Sequence, residues 1–170
     1  IAHEAGQVAV TTSLKNPFED FDSNAKATLN LLESVRKYSP DAKVAFASTN
    51  KVYGTLKNLK VLEMENKYSF VPGFQGVNED TSLDFHSPYG CSKGSADQYV
   101  CDYARSFGLK TTAFRQSCIY GNRQFGLEDQ GWVAWFLIAA SLGKPINIYG
   151  DGKQVRDLLW IDDLCELYLS

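Results

Sequence analysis

Apolar positions recur at helical spacing over residues 18–38, where Phe21, Ala25, Thr28, Leu29, Leu32 and Val35 share one face. Asn16-Pro17 supplies a start for that helix, Glu19 and Asp20 suit the positive end of its dipole, and Ser39-Pro40-Asp41 ends it. Residues 43–48 form a short, mostly apolar run, the pattern of a strand covered on both faces. Residues 54–87 are polar and turn-rich with no sustained period, and a segment of that length in a compact domain usually carries function. A second helical stripe follows in Ala96, Tyr99, Val100, Tyr103 and Phe107, closed by Gly108. Residues 110–116 read as the next strand and 132–142 as the next helix. Residues 146–149 and 155–160 read as two strands around the turn Gly150-Asp151-Gly152. Asp162 or Asp163 is placed to cap a last helix.

Strands alternating with amphipathic helices predict an α/β fold with a parallel sheet. After residue 143 the alternation breaks, so residues 1–143 are expected to form one domain and 144–170 to begin a smaller lobe. Composition narrows the picture. With 44% apolar and 22% charged residues, the 170-residue chain can bury a core. Its net charge of −3 gives no footprint for nucleic acid. No apolar run reaches the ~18–20 residues of a membrane span, so neither nucleic acid nor membrane is an expected partner. Cys91, Cys101, Cys118 and Cys165 form no C-x-x-C pair, and only His3 and His86 could join them, so no metal is expected. Free thiols fit a reducing cytoplasm.

The most informative stretch is Ser87-Pro88-Tyr89-Gly90-Cys91-Ser92-Lys93. Tyr89 and Lys93 are four apart and project from one helix face. A free phenol ionises near ~10 and is a poor base at neutral pH, whereas a nearby ammonium stabilises the phenolate. Such a pair can remove a hydroxyl proton while hydride leaves the same carbon. Thr49, in Ala47-Ser48-Thr49-Asn50-Lys51-Val52-Tyr53-Gly54, follows the expected buried strand. Its hydroxyl therefore lies outside the carboxyl end of a parallel strand, where α/β sheets bind ligands. His86 reads as a loop histidine making local hydrogen bonds, with a place facing the pocket as the alternative.

These ordered motifs resemble the extended short-chain dehydrogenase/reductase family of nucleotide-sugar epimerases and dehydratases, over nearly the whole chain. The resemblance implies a partial Rossmann-like, doubly wound parallel sheet, truncated at both ends, and NAD as cofactor. His3-Glu4-Ala5-Gly6-Gln7 is similar to the family's turn beside the cofactor, and Ser23 and Asn24 to helix positions near it. Ser48, Tyr89, Lys93 and Ser117 complete the implied cofactor set together with Ala5, Gly6 and Gln7. Thr49, Tyr89 and Lys93 match the catalytic residues. Thr49, Cys118 and Arg156 (the last in Gln154-Val155-Arg156-Asp157) match substrate-binding positions, and a guanidinium suits a diphosphate because it presents a fixed fork of donors.

Dehydratases of this family carry an Asp-Glu pair directly after the catalytic Thr; here Asn50 and Lys51 stand there, and neither can serve as carboxylic acid or carboxylate base. That favours an epimerase. The stretches 48–54, 83–99 and 129–133 resemble a branch that inverts C2 of a CDP-3,6-dideoxyhexose through a transient keto-sugar. A UDP-sugar 4-epimerase, or a nucleotide-sugar-binding protein without activity, stay open as alternatives. The family's glycine-rich turn and second-strand acidic residue are not found in these 170 residues. The chain is therefore expected to be a segment of a longer protein and to bind NAD weakly alone; the resemblance further implies a homo-oligomer at full length, paired through the helices that hold residues 18–38 and 89–107.

Overall fold

A computed structural model describes all 170 residues. They divide into two compact units, one of residues 1–55 and 82–116, the other of residues 56–81 and 117–170. The boundary expected after residue 143 falls inside the second unit, because strand pairing there joins residues on either side of it.

In the first unit, β1 (Ala2–His3), β2 (Lys43–Thr49) and β5 (Lys110–Gln116) form a parallel sheet in the order β1-β2-β5. The register pairs His3 with Phe46 and Thr49 with Gln116, so the turn after His3 and the residues after Thr49 leave the sheet at one end. Between β1 and β2 run α1 (Val10–Lys15), α2 (Pro17–Phe21), a π-turn over Asp22–Lys26, and α3 (Ala27–Tyr38). Asn16 caps α2 by accepting from the Glu19 amide, and Pro17 takes the first helical position, as expected.

The π-turn changes which face is buried. Its extra residue per turn shifts the phase, so Phe21 is half exposed while Asp20 and Asn24 are buried in line with Thr28 and Leu32. The expected stripe is therefore correct from Ala25 onward and wrong at Phe21.

The 21-residue α4 (Ser87–Phe107) ends at left-handed Gly108, whose amide returns to the Tyr103 and Ala104 carbonyls, a conformation glycine adopts without steric cost. Leu32 and Val35 of α3, Val44 and Phe46 of β2, and Ala96, Val100 and Tyr103 of α4 make one core cluster. Burying each of these larger side chains is worth ~1.5–3 kcal/mol. Val44, Phe46 and Ser48 alternate onto the face that these helices cover.

In the second unit, β3 (Val61–Glu63) and β4 (Tyr68–Phe70) form a hairpin within the turn-rich segment that shows no sustained period in sequence. It is tied to the 151–153 turn by the Tyr68 hydroxyl on Asp151 (2.6 Å) and by Lys153 on Glu63 (2.7 Å). The parallel pair β6 (Cys118–Tyr120) and β7 (Leu158–Trp160), with α5 (Trp132–Ser141) and α6 (Ile161–Leu169), completes this unit. The expected hairpin across Gly150-Asp151-Gly152 does not form. Residues 146–149 are not a strand, the Asn147 and Tyr149 side chains bond Glu128, and β7 pairs with β6 instead. Asp162 and Asp163 lie in the first turn of α6, and neither caps it.

Candidate functional site

At the carboxyl end of β2 the chain turns through Asn50–Tyr53, and Thr49 caps that turn by accepting from the Lys51 amide (3.2 Å). The Thr49 hydroxyl proton is left free to serve the Tyr89 phenol, with which it is hydrogen-bonded. Asn50 and Lys51 are both exposed, and no carboxylate follows Thr49.

Tyr89 and Lys93 sit one turn apart in the first half of α4, 8% and 6% exposed. Burial pushes the phenol up, the Thr49 hydrogen bond opposes this, and the charge of Asp20 adds to the rise. The sequence led us to expect a phenol lowered by its lysine. Instead the Lys93 ammonium donates to the Ala47 carbonyl (2.5 Å) and lies 4.3 Å from the Phe46 ring centroid. Only one of its three protons is taken there, so two remain for a ligand.

Burial pushes Lys93 down to about 8, against Glu4, Asp97 and Asp20, which raise it. Lysine-selective NMR is expected to show one ammonium titrating near 8; a Lys93 signal at the ordinary lysine value would mean that the group is solvated. The unfolded chain holds this proton more tightly. The buried ammonium therefore costs stability at every pH below about 8, and the cost fades as pH rises from there towards the unfolded value.

The turn after His3 lies beside this pair. A Cβ on Gly6 would come within 2.6 Å of Asn24 Oδ1 and 3.9 Å of Lys93 Nζ, so only glycine lets the backbone pass this close to both. Asn24 Oδ1 accepts from the Gln7 amide (3.0 Å). His3 is buried against Phe46, and its Nε2 meets Thr28 Oγ1 (3.0 Å). Since the Thr28 hydroxyl donates to the Asn24 carbonyl (2.7 Å), Nε2 carries the imidazole proton. Burial holds His3 below its ordinary value. Ala5 and Gly6 are exposed and Ser23 is half-buried.

Two polar networks flank the catalytic candidates on α4. In one, Asp20, Ser92 and Asn24 are hydrogen-bonded and buried. In the other, fully buried Asp97 takes two bonds from Arg115 (2.9 and 3.1 Å) and one from Ser48 (2.6 Å), while Arg115 also donates to the Tyr53 hydroxyl. The Ser48 hydroxyl is thus committed to α4, so its side chain is not a donor for a ligand. Asp20 and Asp97 escaped the sequence reading. Nothing in a lone acidic residue on a helix signals burial, and Asp20 read as a dipole-complementing carboxylate.

Ser117, Cys118 and Arg156 belong to the second unit. There the Cys118 amide donates to the Asp157 carbonyl (3.3 Å), placing Cys118 next to the segment that carries Arg156. Arg156 is exposed and its guanidinium reaches only the Val155 carbonyl. His86 bonds Asp84 (2.9 Å), a local hydrogen bond as read from the sequence. No helix of the chain is long and apolar enough to cross a membrane.

Residues 1–170 match the model of the NAD dependent epimerase/dehydratase family. The sequence is 54% identical, over 99% of its length, to a CDP-paratose 2-epimerase of Salmonella typhi, of which it covers 51%. It is 32% identical to a putative UDP-glucose 4-epimerase of Methanocaldococcus jannaschii, over 99% of this chain and 50% of that protein. The solved UDP-glucose 4-epimerase of Thermus thermophilus, in complex with NAD, matches with a TM-score of 0.79 at 31% identity, over 99% of this chain and 51% of that one. The chain spans about half the length of the curated relatives it matches.

Proposed function

This chain belongs to the NAD dependent epimerase/dehydratase family, and from that premise we propose that it carries the redox residues of a nucleotide-sugar 2-epimerase acting on a CDP-3,6-dideoxyhexose. The observation that carries the reading is the meeting of Thr49, Tyr89 and Lys93 at the end of β2, with Asn50 and Lys51 where a dehydratase needs its acid and base. The 54% identity to the CDP-paratose 2-epimerase supports the choice of C2 and of the cytidine nucleotide.

In this reading Tyr89 removes the proton of the C2 hydroxyl, Thr49 hydrogen-bonds the same oxygen, and Lys93, anchored on the Ala47 carbonyl, offers its remaining donors to the bound ligand. The family implies NAD, which when bound would supply a reversible hydride acceptor for the C2 carbon. The residues fit such a group: Glu4, Ala5 and Gly6 are exposed, Gly6 leaves room where a Cβ would clash, and Lys93 has two unused donors. Ala5, Gly6, Gln7, Tyr89 and Lys93 would hold it, with Ser23 and Ser117 at its margin and Asn24, whose side chain is fully engaged, fixing the Gln7 amide from behind. Ser48 would contribute its backbone only. Cys118 and Arg156 would meet the sugar and the diphosphate, and residues 144–170 would be part of the substrate lobe. Four free cysteines fit a reducing cytoplasm. Half-exposed Tyr99 and Phe107 on α4 are consistent with a helix-paired homo-oligomer.

The test is turnover of CDP-paratose against UDP-galactose by the protein at its relatives' full length. Inversion at C2 is expected, with a deuterium label at C2 retained and none gained from D2O, because the hydrogen travels as hydride. Inversion of UDP-galactose at C4 alone would make it a 4-epimerase. Tight nucleotide-sugar binding with no turnover would make it a binding protein.

A further inference from the structure

Asp20 has no part in the proton and hydride transfers described above, yet it is 1% exposed and forms no ion pair. Burying a carboxylate is costly unless its oxygens are used, and here both are. Its Oδ2 accepts the Ser92 hydroxyl proton at 2.5 Å, and its Oδ1 accepts from Asn24 Nδ2 at 3.3 Å. Ser92 in turn accepts from Asn24 Nδ2 at 2.9 Å.

The polarity of this chain follows from Asp20. A carboxylate only accepts, so Ser92, whose other acceptor is the Tyr89 carbonyl at 3.1 Å, gives its single proton to Asp20. Its oxygen is then free to accept from the Asn24 amide. With both Nδ2 protons directed at Asp20 and Ser92, Asn24 must turn Oδ1 the other way, onto the Gln7 amide at 3.0 Å. The π-turn over Asp22–Lys26 gives Asn24 the phase this requires. Gly6, one residue before that amide, is the point where the backbone passes Asn24 Oδ1 and Lys93 Nζ.

We infer that Asp20 is a positioning residue, which orients the Asn24 amide through Ser92 and so holds the Glu4–Gln7 turn against the redox residues of α4. It acts across a distance of several side chains and touches neither substrate nor cofactor in the epimerase reading. The kinetic part of the inference rests on that reading; the structural part does not.

The decisive variant is Asp20→Asn, of equal size but able to donate, which removes the reason for Ser92 and Asn24 to point as they do. Hydrogen exchange of the Gln7 amide is expected to accelerate about tenfold, the loss of roughly one hydrogen bond, while the β2 amides stay protected. Ser92→Ala, in a helix that tolerates alanine well, is expected to move the Gln7 amide in the same direction. If Asp20→Asn does not fold, Ser92→Ala decides alone. Unchanged Gln7 exchange in a folded variant overturns the inference.

A filler role is separated by two further readouts. The groups whose charges bear on Lys93 are Glu4, Asp97 and Asp20, so Asp20→Asn should move the Lys93 titration further below about 8. In the full-length enzyme, kcat should fall more than tenfold with KM for the nucleotide sugar changed less than twofold. Equal kcat with the turn intact would overturn it. Absence of epimerase activity in the unmodified protein would count against the function alone, because the exchange measurement needs no substrate.

Discussion

Tyr89→Phe is expected to lower epimerase turnover by ~10²–10⁴-fold, the range removed with a general base, while leaving the fold unchanged. Phe keeps the ring that packs in the first half of α4 and removes only the oxygen hydrogen-bonded to Thr49. No buried charge is created, so circular dichroism and the unfolding midpoint should match those of the unmodified protein. The phenol is neutral at pH 7 in this chain, because burial and the charge of Asp20 outweigh the Thr49 bond. A positive charge delivered near the phenol on ligand binding would favour its ionisation, and with it the proton transfer. Single-turnover kinetics with a saturating nucleotide sugar would place the loss in the chemical step. Turnover equal to that of the unmodified enzyme would remove Tyr89 from the mechanism.

The largest expected effect on stability is that of Asp97→Ala, at ~3–5 kcal/mol. Asp97 is fully buried and accepts from Arg115 twice and from Ser48 once, and Arg115, with its side chain 15% exposed, spans to the Tyr53 hydroxyl. Removing the carboxylate leaves a guanidinium in the interior with only a phenol as partner. In a domain stable by ~5–15 kcal/mol that is a large fraction of the total. Urea denaturation followed by tryptophan fluorescence would measure it. Asp22→Ala provides the contrast: its ion pair with Lys26 is more than half exposed on both sides and should contribute only ~0–1 kcal/mol. Adding Arg115→Leu to Asp97→Ala should restore part of the loss, because the stranded charge is removed with its partner. A loss below ~1 kcal/mol would mean that water reaches Arg115 when Asp97 is gone.

Both substitutions strike where α4 meets the end of β2, and the two networks explain why the site lies there. Ser92 and Lys93 project from one turn of α4 and Asp97 from the next, and the sheet supplies Ser48, Thr49 and Arg115. The hydrogen bonds of Asp97 hold α4 against β2 and β5, and those of Asp20 hold it against the helix that carries Asn24. Tyr89 and Lys93 are thereby fixed by carboxylates on either side of them.

Much of this was legible from residue order. Strands over residues 43–48 and 110–116, and helices over 18–38, 89–107 and 132–142, follow from local period and punctuation, and the structure places each within a few residues of its reading, with the first helix interrupted by the π-turn. Thr49, Tyr89 and Lys93 stand out as candidates because each carries its own context: a hydroxyl after a buried strand, and two side chains one helical turn apart. Other features could not be read that way. The β6–β7 pair replaced the local hairpin because Cys118–Tyr120 offers Leu158–Trp160 a partner from distant sequence, and no turn signal encodes such a partner. Asp20 and Asp97 look like any exposed acid until the fold surrounds them with donors. The direction of the Tyr89 shift was likewise hidden, since it depends on how deeply the phenol is buried and where the Lys93 ammonium turns. The sequence alone thus determined which groups could do chemistry and which segments would carry them, because period and residue type are local. Only the tertiary structure decided which polar groups were buried together, which way their protons point and how readily each ionises, because desolvation and hydrogen bonding depend on neighbours far away in the chain.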